Sequence, residues 1–222
     1  MPQPSRATIL IERSQFFVTA GEEATAALLR ASFTQLLPRG AVLFEQGDQA
    51  DFLHVTLEGS VGLQARVDGD RATTVEILGA GELYLAPAAL LGLPYLASAV
   101  ALTEVRVLMI PSDTFREVMT WSFPLNRATS ELLARHWRLM VDQVVDLKLR
   151  SAEERLARFL ARRVPESTGA ACASLPEPRT AIAGRLGMTS ETLSRAMASL
   201  EKRGKLHRDA DGAVVSDRAS LS

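Results

Sequence analysis

Residues 179–202, RTAIAGRLGMTSETLSRAMASLEK, constrain the fold more than any other stretch of the chain. Apolar residues recur every three or four positions on both sides of Gly187, which predicts two short helices joined by a tight turn. Glycine suits that turn because it adopts positive φ without strain. The small Ala183 leaves room for the second helix, and an oxygen of Thr189 or Ser190 can cap it. We therefore predict a helix–turn–helix with the apolar contacts Ile182, Leu186, Met188, Leu193 and Ala196.

The second helix of this motif would expose side chains that can read DNA. We expect Ser190, Glu191, Ser194 and Arg195 on its N-terminal solvent face, where a recognition helix meets base edges in the major groove. Arginine can donate two hydrogen bonds to guanine, and glutamate can accept one from cytosine. A plain helical hairpin with a solvated charged face is the alternative. The predicted DNA-binding set also includes Thr180, Thr189 and Lys202.

Charge is distributed unevenly along the chain. The net charge is −1, but residues 150–222 hold thirteen basic and nine acidic residues, a net charge of +4, whereas residues 1–149 carry −5. This asymmetry indicates a nucleic-acid contact confined to the C-terminal end. The tail GKLHRDADGAVVSD has the pattern of a β-hairpin wing with Asp211-Gly212 at its turn. Attraction to phosphates is assigned to Lys202, Arg203, Lys205 and Arg208.

The N-terminal half has the pattern of an all-β domain. Six glycines recur at intervals of 7 to 12 residues, with short runs rich in valine, leucine and phenylalanine between them: Gly40, Gly47, Gly59, Gly69, Gly81 and Gly92. Regular turn signals at that spacing predict a β-barrel or β-roll. We expect strands at Ala41–Phe44, Leu53–Leu57 and Val61–Val67, preceded by a short helix over residues 22–37.

Residues 125–149 have the pattern of a long helix with one apolar stripe. The stripe recurs at alternating spacings of four and three residues, as in the a and d positions of a coiled coil. It must be buried either against its own β-domain or against a second copy of the chain, because a two-fold axis buries the same face twice. The predicted dimer seam consists of Leu133, Trp137, Met140, Val144 and Leu147.

No residue between Leu83 and Thr103 is charged, and about 20 apolar residues are enough to cross a bilayer. Pro87, Gly92 and Pro94 would break a helix in this segment. We therefore expect a buried apolar layer of a soluble domain rather than a membrane span.

A β-roll, a long seam helix and a C-terminal winged helix, in this order, resemble the CRP/FNR family of bacterial transcription regulators. Residues 37–63 (LPRGAVLFEQGDQADFLHVTLEGSVGL) and 186–206 (LGMTSETLSRAMASLEKRGKL) carry the likeness most specifically. The resemblance implies an α+β fold with a cyclic-nucleotide-binding-like, effector-sensing β-roll in residues 1–124, a dimerisation helix in residues 125–149 and a winged-helix DNA-binding domain in residues 150–222. It also implies a homodimer that binds double-stranded DNA and, if it is an activator, RNA polymerase.

Within this family, one pattern in the predicted recognition helix suggests the type of target. Glu191, Ser194 and Arg195 match the E-x-x-S-R pattern of the FNR-like branch. The cyclic-AMP receptor differs at two positions, with arginine where Ser190 stands and glycine where Ser194 stands. The resemblance therefore implies a TTG…CAA-type palindrome.

The sequence lacks residues that two known kinds of family effector require, which reduces the number of candidate effectors. Cyclic-nucleotide receptors carry G-E followed by an arginine that meets the cyclic phosphate. Here Gly81-Glu82 is present, but no arginine lies between Arg71 and Arg106. A buried phosphate without a cationic partner is strongly disfavoured, so we expect no cyclic nucleotide. An iron–sulfur cluster needs several cysteines, and the chain has only Cys172.

An apolar stretch with the chain's two tyrosines, Tyr84 and Tyr95, remains as the effector region. Uncharged walls with a few polar groups suit a hydrophobic ligand or haem. The pattern is similar to the nitric-oxide-responsive NnrR and DNR groups of the family, so the resemblance implies nitric oxide as the signal and haem as a candidate cofactor. The axial ligand stays open among His54, His136, a tyrosine and the amine of Pro2, although a partly buried core histidine is the favoured interpretation of His54. The predicted effector pocket consists of Tyr84, Tyr95, Leu96 and His54.

A family regulator without a small-molecule effector is the alternative function. Its own leucines would fill the pocket and leave DNA binding constitutive, namely Leu85, Leu90, Leu91, Leu93 and Leu96. An enzyme is not indicated: we find no phosphate loop, no Ser/His/Asp arrangement and no metal-ligand spacing among three histidines. We assign no catalytic or metal-binding residue. The single cysteine and the absence of a signal-peptide pattern in MPQPSRATIL predict a cytoplasmic protein without a membrane partner.

Overall fold

The computed structural model describes residues 10–11, 14–66, 72–84, 87–163, 171–173, 175–208 and 214–216. The chain divides into two compact units, Met1–Leu139 and Met140–Ser222. No helix in these described ranges is both long enough and apolar enough to span a bilayer.

In the described part of the first unit, helices flank antiparallel strands. The helices are α1 (Gln15–Ala20), α2 (Glu22–Ala31), α3 (Pro87–Leu91), α4 (Ser112–Trp121) and α5 (Phe123–Leu149), the last of which continues into the second unit. The strands are β1 (Phe33–Leu37), β2 (Val42–Phe44), β3 (Phe52–Glu58), β4 (Val61–Arg66), β5 (Ala72–Leu78), β6 (Leu83–Tyr84), β7 (Ser98–Ala101) and β8 (Val105–Pro111).

These strands form the predicted β-roll from two antiparallel sheets. The strand orders are β1-β8-β3-β6 and β2-β7-β4-β5. Successive side chains of a strand point to opposite faces, and β3 uses both. Leu53, Val55 and Leu57 belong to the apolar core that also contains residues of α1 and α4. His54 and Thr56 therefore point to the other face, the interior of the roll between the two sheets.

The prediction of one helix over residues 22–37 is wrong in its second half. Helix α2 ends at Ala31, and Ser32 adopts an extended backbone. Residues 33–37 instead form strand β1, which pairs with β8 along its whole length. The sequence FTQLL is compatible with either structure, so the hydrogen-bond ladder to a strand seventy residues away decides the outcome.

The uncharged segment between Leu83 and Thr103 is only partly the buried layer that its composition predicts. It supplies β6, α3 and β7, and the alanines of these elements are mostly buried. However, Leu91, Leu93 and Leu96 are 70%, 52% and 82% exposed. These three leucines therefore do not fill the roll, contrary to the expectation of a pocket closed by leucine side chains.

The second unit has the predicted winged helix–turn–helix topology. It contains the helices α6 (Ala152–Arg163), α7 (Arg179–Arg185) and α8 (Ser190–Lys202) and the strands β9 (Ala171–Ala173), β10 (His207–Arg208) and β11 (Val214–Ser216). The strands pair in the order β10-β11-β9, so β10 and β11 are the two arms of the wing. The predicted wing turn at Asp211-Gly212 lies outside the described residues.

Helices α6 and α8 pack through leucines that are at most 1% exposed: Leu156, Leu160, Leu193 and Leu200. Gly187 lies in the turn between α7 and α8 with φ +61°, as the sequence predicts. Of the predicted apolar contacts, Met188 is half-buried. The others are buried, namely Ile182, Leu186, Leu193 and Ala196.

Two glycines in turns of the roll differ in how closely other atoms approach them, so substituting each one tests how tightly these turns are packed. Gly59 and Gly47 have φ of +79° and +95°. A Cβ on Gly59 would lie 2.1 Å from the Glu104 carbonyl oxygen, whereas no described atom lies within 4 Å of a Cβ on Gly47. Gly47→Ala should cost about 1 kcal/mol of backbone strain. Gly59→Ala should cost at least about 2 kcal/mol more, because backbone must move.

The measurement is urea unfolding followed by the fluorescence of Trp121 and Trp137, which both belong to the first unit. Gly47→Ala is the matched control for the backbone conformation alone. Equal losses in the two variants would show that the Gly59 turn does not depend on close packing against Glu104.

Candidate nucleic-acid interface and effector site

The N-terminus of α8 is capped by Thr189, one of the two residues proposed for that role. Thr189 has an extended backbone, and its hydroxyl accepts a hydrogen bond from the backbone N–H of Thr192 at 3.2 Å. This bond satisfies one of the N–H groups that have no partner inside the helix. The cap fixes where the helix begins, and hence which side chains occupy its first exposed turns.

The exposed face of α8 carries the predicted base-reading residues together. Ser190, Glu191 and Arg195 are exposed, and Ser194 is half-exposed beside them. Arg195 donates from Nη2 to the Thr192 hydroxyl at 3.3 Å, which holds the guanidinium near the helix surface. The Ser194 hydroxyl donates to the Ser190 carbonyl at 3.0 Å. An arginine and a carboxylate thus lie one helical turn apart on a solvent-facing surface.

The other predicted DNA-binding residues lie at a distance along the motif. Thr180 is exposed in the first turn of α7, and Lys202 is exposed in the last turn of α8. Thr180 belongs to a different helix from Glu191 and Arg195, whereas Lys202 lies two turns beyond Arg195 on the same side of α8. Their positions suit contacts to the DNA backbone, which set register but carry no sequence information.

Ion pairs that the sequence analysis missed hold this surface in place. Glu153 of α6 accepts a hydrogen bond from the Ser199 hydroxyl at 2.6 Å and lies 2.9 Å from Arg203. Arg203, expected to attract phosphates, therefore has part of its charge already neutralised. Arg163 of α6 lies 2.8 Å from the buried Glu177, just before α7. Each pair joins residues more than ten positions apart, so no local spacing in the sequence indicates it.

The predicted dimer seam divides between two environments. Leu133 is half-buried and packs against the core of the first unit. Trp137, Met140, Val144 and Leu147 are 69%, 62%, 50% and 45% exposed. A run of large apolar side chains is therefore left facing solvent along α5, and packing against the β-domain accounts for Leu133 alone among the five.

The interior of the roll brings together three of the four predicted effector-pocket residues. Tyr84 lies directly opposite His54 in the β3–β6 ladder, and their rings are nearly parallel with centroids 5.5 Å apart. The Phe44 ring lies 5.0 Å from His54 and 3.8 Å from Tyr95. His54, Tyr84 and Tyr95 are all buried. Leu96 does not join them, because its side chain points to solvent.

This interior is uncharged but contains polar atoms that lack partners. Burial lowers the pKa of His54 to about 4, so its imidazole is neutral at pH 7. Burial raises the pKa of Tyr84, and the Thr56 hydroxyl, which lies near the phenol without forming a hydrogen bond of ordinary geometry, offsets part of that rise. Within the described part of the chain, Nε2 of His54, Oγ1 of Thr56 and Oη of Tyr84 have no hydrogen-bond partner. Buried polar atoms of this kind usually bind water or a ligand.

Tyr95 has a different role from Tyr84. Its hydroxyl donates to the Phe52 carbonyl at 2.7 Å, and burial raises its pKa to about 12. Its backbone N–H donates to the Asp48 carbonyl, and its own carbonyl accepts from Gly47. Tyr95 therefore fastens the segment after α3 to the turn after β2, and its hydroxyl is already used.

Comparison with known protein families assigns both units. Residues 34–120 match the model of the cyclic nucleotide-binding domain, and residues 154–222 match that of the Crp-like helix-turn-helix domain. The chain belongs to the CRP/FNR family of transcription regulators. The family explains why a β-roll and a winged helix occur in one chain of this regulator.

Relatives of this CRP/FNR regulator match it over most of its length. It is 24% identical over 217 residues to the CRP-like cAMP-activated global transcriptional regulator of Mycobacterium tuberculosis, covering 96% of this chain and 97% of that protein. It is 27% identical to the transcriptional activator protein FnrA of Stutzerimonas stutzeri, covering 83% and 77%. The structure of FixK2 from Bradyrhizobium japonicum has the same fold, with a TM-score of 0.77 at 21% identity, covering 86% and 95%.

The buried His54 makes the stability of this regulator depend on pH. Its folded-state pKa of about 4 lies below the ordinary value of about 6.5. Below pH 6.5 the imidazole therefore takes up a proton in the unfolded chain, but it stays neutral in the folded chain until the pH approaches 4. Between pH 7 and pH 5 this should remove about 2 kcal/mol of the free energy of unfolding. In His54→Phe that loss should be absent.

Urea unfolding at pH 7 and pH 5, followed by tryptophan fluorescence, measures this difference. His136, whose pKa is also lowered by burial and by Arg135, is present in both proteins, so its effect cancels. His207→Gln, which removes an exposed imidazole from the wing, is the control and should keep the wild-type profile. A loss of the same size in His54→Phe would show that other groups cause it.

Proposed function

We propose that this regulator is a homodimer that reads a palindromic DNA site and responds to an effector in its β-roll. Residues 1–124 sense the effector, residues 125–149 form the dimer, and residues 150–222 bind DNA. The observation that carries the proposal is the geometry of α8: its leucines are buried against α6, while Glu191 and Arg195 lie exposed behind a capped N-terminus. A recognition helix needs this arrangement, because side chains must reach base edges without disturbing the fold.

The proposed target is a TTG…CAA-type palindrome. Arg195 would donate to a guanine and Glu191 would accept from a cytosine, which is the readout their chemistry allows. Support comes from the E-x-x-S-R pattern of the FNR-like branch and from the similarity to FnrA. Thr180, Thr189 and Lys202 would contact phosphates and fix the position of the helix on the duplex.

The proposed homodimer forms through the exposed face of α5. Trp137, Met140, Val144 and Leu147 repeat at the coiled-coil spacing and have large exposed fractions. Pairing two such faces across a two-fold axis removes them from water in both chains. The same axis would present two recognition helices to successive major grooves, about 34 Å apart.

The proposed effector is small and uncharged and binds inside the roll. The described interior offers neutral hydrogen-bonding atoms from His54, Thr56 and Tyr84 and no cation that could neutralise a phosphate. Cyclic AMP, which activates the Mycobacterium tuberculosis relative, is therefore not the effector we propose. Nitric oxide is small and uncharged, and the likeness to the nitric-oxide-responsive groups of the family supports it. It accepts hydrogen bonds only weakly, so the support does not come from the unpartnered atoms of His54, Thr56 and Tyr84.

Haem does not fit the interior as it is packed. Nε2 of His54 would be the axial ligand, but this atom is closed off from solvent, and the rings of Phe44 and Tyr84 lie against the imidazole. The Tyr84 hydroxyl is held protonated by burial, and the Tyr95 hydroxyl donates to a carbonyl. We therefore assign no step to haem.

A constitutive regulator without an effector is a second candidate function. It is favoured by the close stack of Phe44 and Tyr95, with ring centroids 3.8 Å apart, which fills part of the roll with the chain's own side chains. The exposed leucines after α3 contribute nothing to this filling. High DNA affinity of the ligand-free protein would distinguish this candidate from a gated one.

Arg195→Ala and Lys202→Ala should weaken DNA binding in different ways. Arg195→Ala should lose about 1–3 kcal/mol on the palindrome and almost nothing on scrambled DNA, because a base contact is removed. Lys202→Ala should weaken both complexes alike and reduce the salt dependence by about one phosphate contact. Fluorescence anisotropy across a salt series measures both. Equal losses on the two DNAs for Arg195→Ala would contradict base reading.

Met140→Glu should convert the dimer into a monomer, because it would place two carboxylates in an apolar interface. Light scattering after size exclusion should give the 24.1 kDa mass of one chain for this variant and twice that mass for the wild type. Val18→Glu is the matched control, since Val18 is 59% exposed on α1 and outside the proposed interface. A Met140→Glu dimer as stable as the wild type would exclude this face.

Effector candidates are compared by palindrome affinity under anaerobic conditions. Nitric oxide should raise the affinity at least about 10-fold, the usual size of an allosteric coupling, and cyclic AMP should leave it unchanged. A response to cyclic AMP, or none to nitric oxide, would overturn the effector proposal. An absorption spectrum after haem addition completes the test, because a defined Soret band at one haem per chain would contradict the packing argument.

A further inference from the structure

Helix α5 ends against the turn of the helix–turn–helix within the second unit. A Cβ on Gly187 would lie 2.4 Å from Cδ2 of Leu147. The methyl group of Leu147 therefore occupies the space that a side chain at position 187 would need, and this half-exposed side chain would have to rotate away to admit one. Gly187 precedes the capping residue Thr189 by two positions, so Leu147 supports the backbone that leads directly into α8.

Arg155 of α6 contacts both the end of α5 and the turn between α7 and α8. Its guanidinium donates to three carbonyl oxygens, those of Leu147 at 3.5 Å, Arg150 at 3.4 Å and Gly187 at 3.5 Å. These bonds are long, so each is weak. Together they connect the end of α5, the junction before α6 and the helix–turn–helix turn through one rigid planar group.

Ion pairs hold the last turns of α5 to α6. The Asp146 carboxylate lies 2.7 Å from Nε of Arg150 and 3.2 Å from Nε of Arg158, with 14% of its side chain exposed. One turn earlier, Asp142 lies 3.4 Å from Arg162. Leu147 follows Asp146 directly, so these pairs fix the side of the helix next to the contact with Gly187.

Leu147 also belongs to the face proposed for the dimer. It follows Met140 and Val144 at the spacing of four and three, and 45% of it stays exposed. We infer that Leu147, Gly187 and Arg155 position the recognition helix, so that packing in the dimer seam is transmitted to the first turn of α8. This inference rests on the proposed function, and it assigns these residues positioning roles without DNA contact.

A double-mutant cycle tests the contact. Gly187→Ala should reduce palindrome affinity by about threefold or more, because the Leu147 side chain must move and neighbouring residues couple on that scale. Scrambled-DNA affinity should stay within about twofold. Adding Leu147→Ala should restore most of the loss, because it vacates the space that the new Cβ needs. Since Leu147 also lies in the proposed dimer seam, all variants are compared at a concentration where light scattering shows each of them to be dimeric. The backbone strain at position 187 is the same in both proteins, so the rescue reports the contact alone.

Gly204→Ala is the matched control. Gly204 has φ +68°, close to the +61° of Gly187, and no described atom lies within 4 Å of a Cβ there. Leu147→Ala should not rescue this variant. Arg155→Lys and Arg155→Met should both lose palindrome affinity, lysine less, because it keeps the charge but not the planar fork.

The outcomes separate this inference from the proposed function. A wild-type protein that does not prefer the palindrome would refute the proposed function. If the wild type prefers the palindrome and Leu147→Ala does not rescue Gly187→Ala, the positioning role is refuted. Amide hydrogen exchange tests the positioning role without DNA. In Leu147→Ala, the amides of residues 187–192 should exchange at least about 10-fold faster than in the wild type, while those of α6 should stay protected. Unchanged exchange there would also refute it.

Discussion

The exposed apolar face of α5 is the constraint on which the rest of this account depends. Four large side chains between Trp137 and Leu147 stand in water in a single chain, and apolar surface in water costs about 25 cal/mol per Å². Contiguous exposure of this kind marks an interaction site in soluble proteins. The face runs along α5, the helix that continues from the first unit into the second.

Much of the fold could be predicted from local patterns in the sequence. The helix–turn–helix follows from Gly187, the small Ala183 and the apolar spacing around them, because turn, approach and core lie within 24 residues. Strands β2, β3 and β4 follow from glycine turns and apolar runs. The exposure of the residues proposed to read DNA follows from the same helix, whose exposed and buried faces alternate with a fixed period.

What the sequence could not indicate depends on contacts between distant residues. Residues 33–37 form a strand because β8 pairs with them, and nothing in FTQLL itself requires this. The ion pairs Glu153–Arg203 and Arg163–Glu177 depend on how α6 packs against the helix–turn–helix. The family resemblance and the uncharged stretch around it predict Leu96 in the pocket, whereas the backbone path after α3 decides that it points outward.

The interior of the roll is a second place where structure adds to the sequence. The alternation of β3 sends Leu53 and Val55 to the core and His54 and Thr56 to the other face, where Tyr84 meets them across the ladder. Unpartnered polar atoms among aromatic rings are unfavourable in an empty protein. A small neutral ligand or water molecule would relieve this cost, which links the stability of the roll to its occupancy.

The central claim, a dimer that reads one half-site with each recognition helix, is tested most directly by selection from a random DNA library. The full-length protein is used anaerobically, with and without nitric oxide, and the enriched sequences are aligned. The account predicts an inverted repeat whose half-sites are centred about 10–10.5 base pairs apart. Enrichment of a single unrepeated element, or of no sequence in either condition, would contradict it.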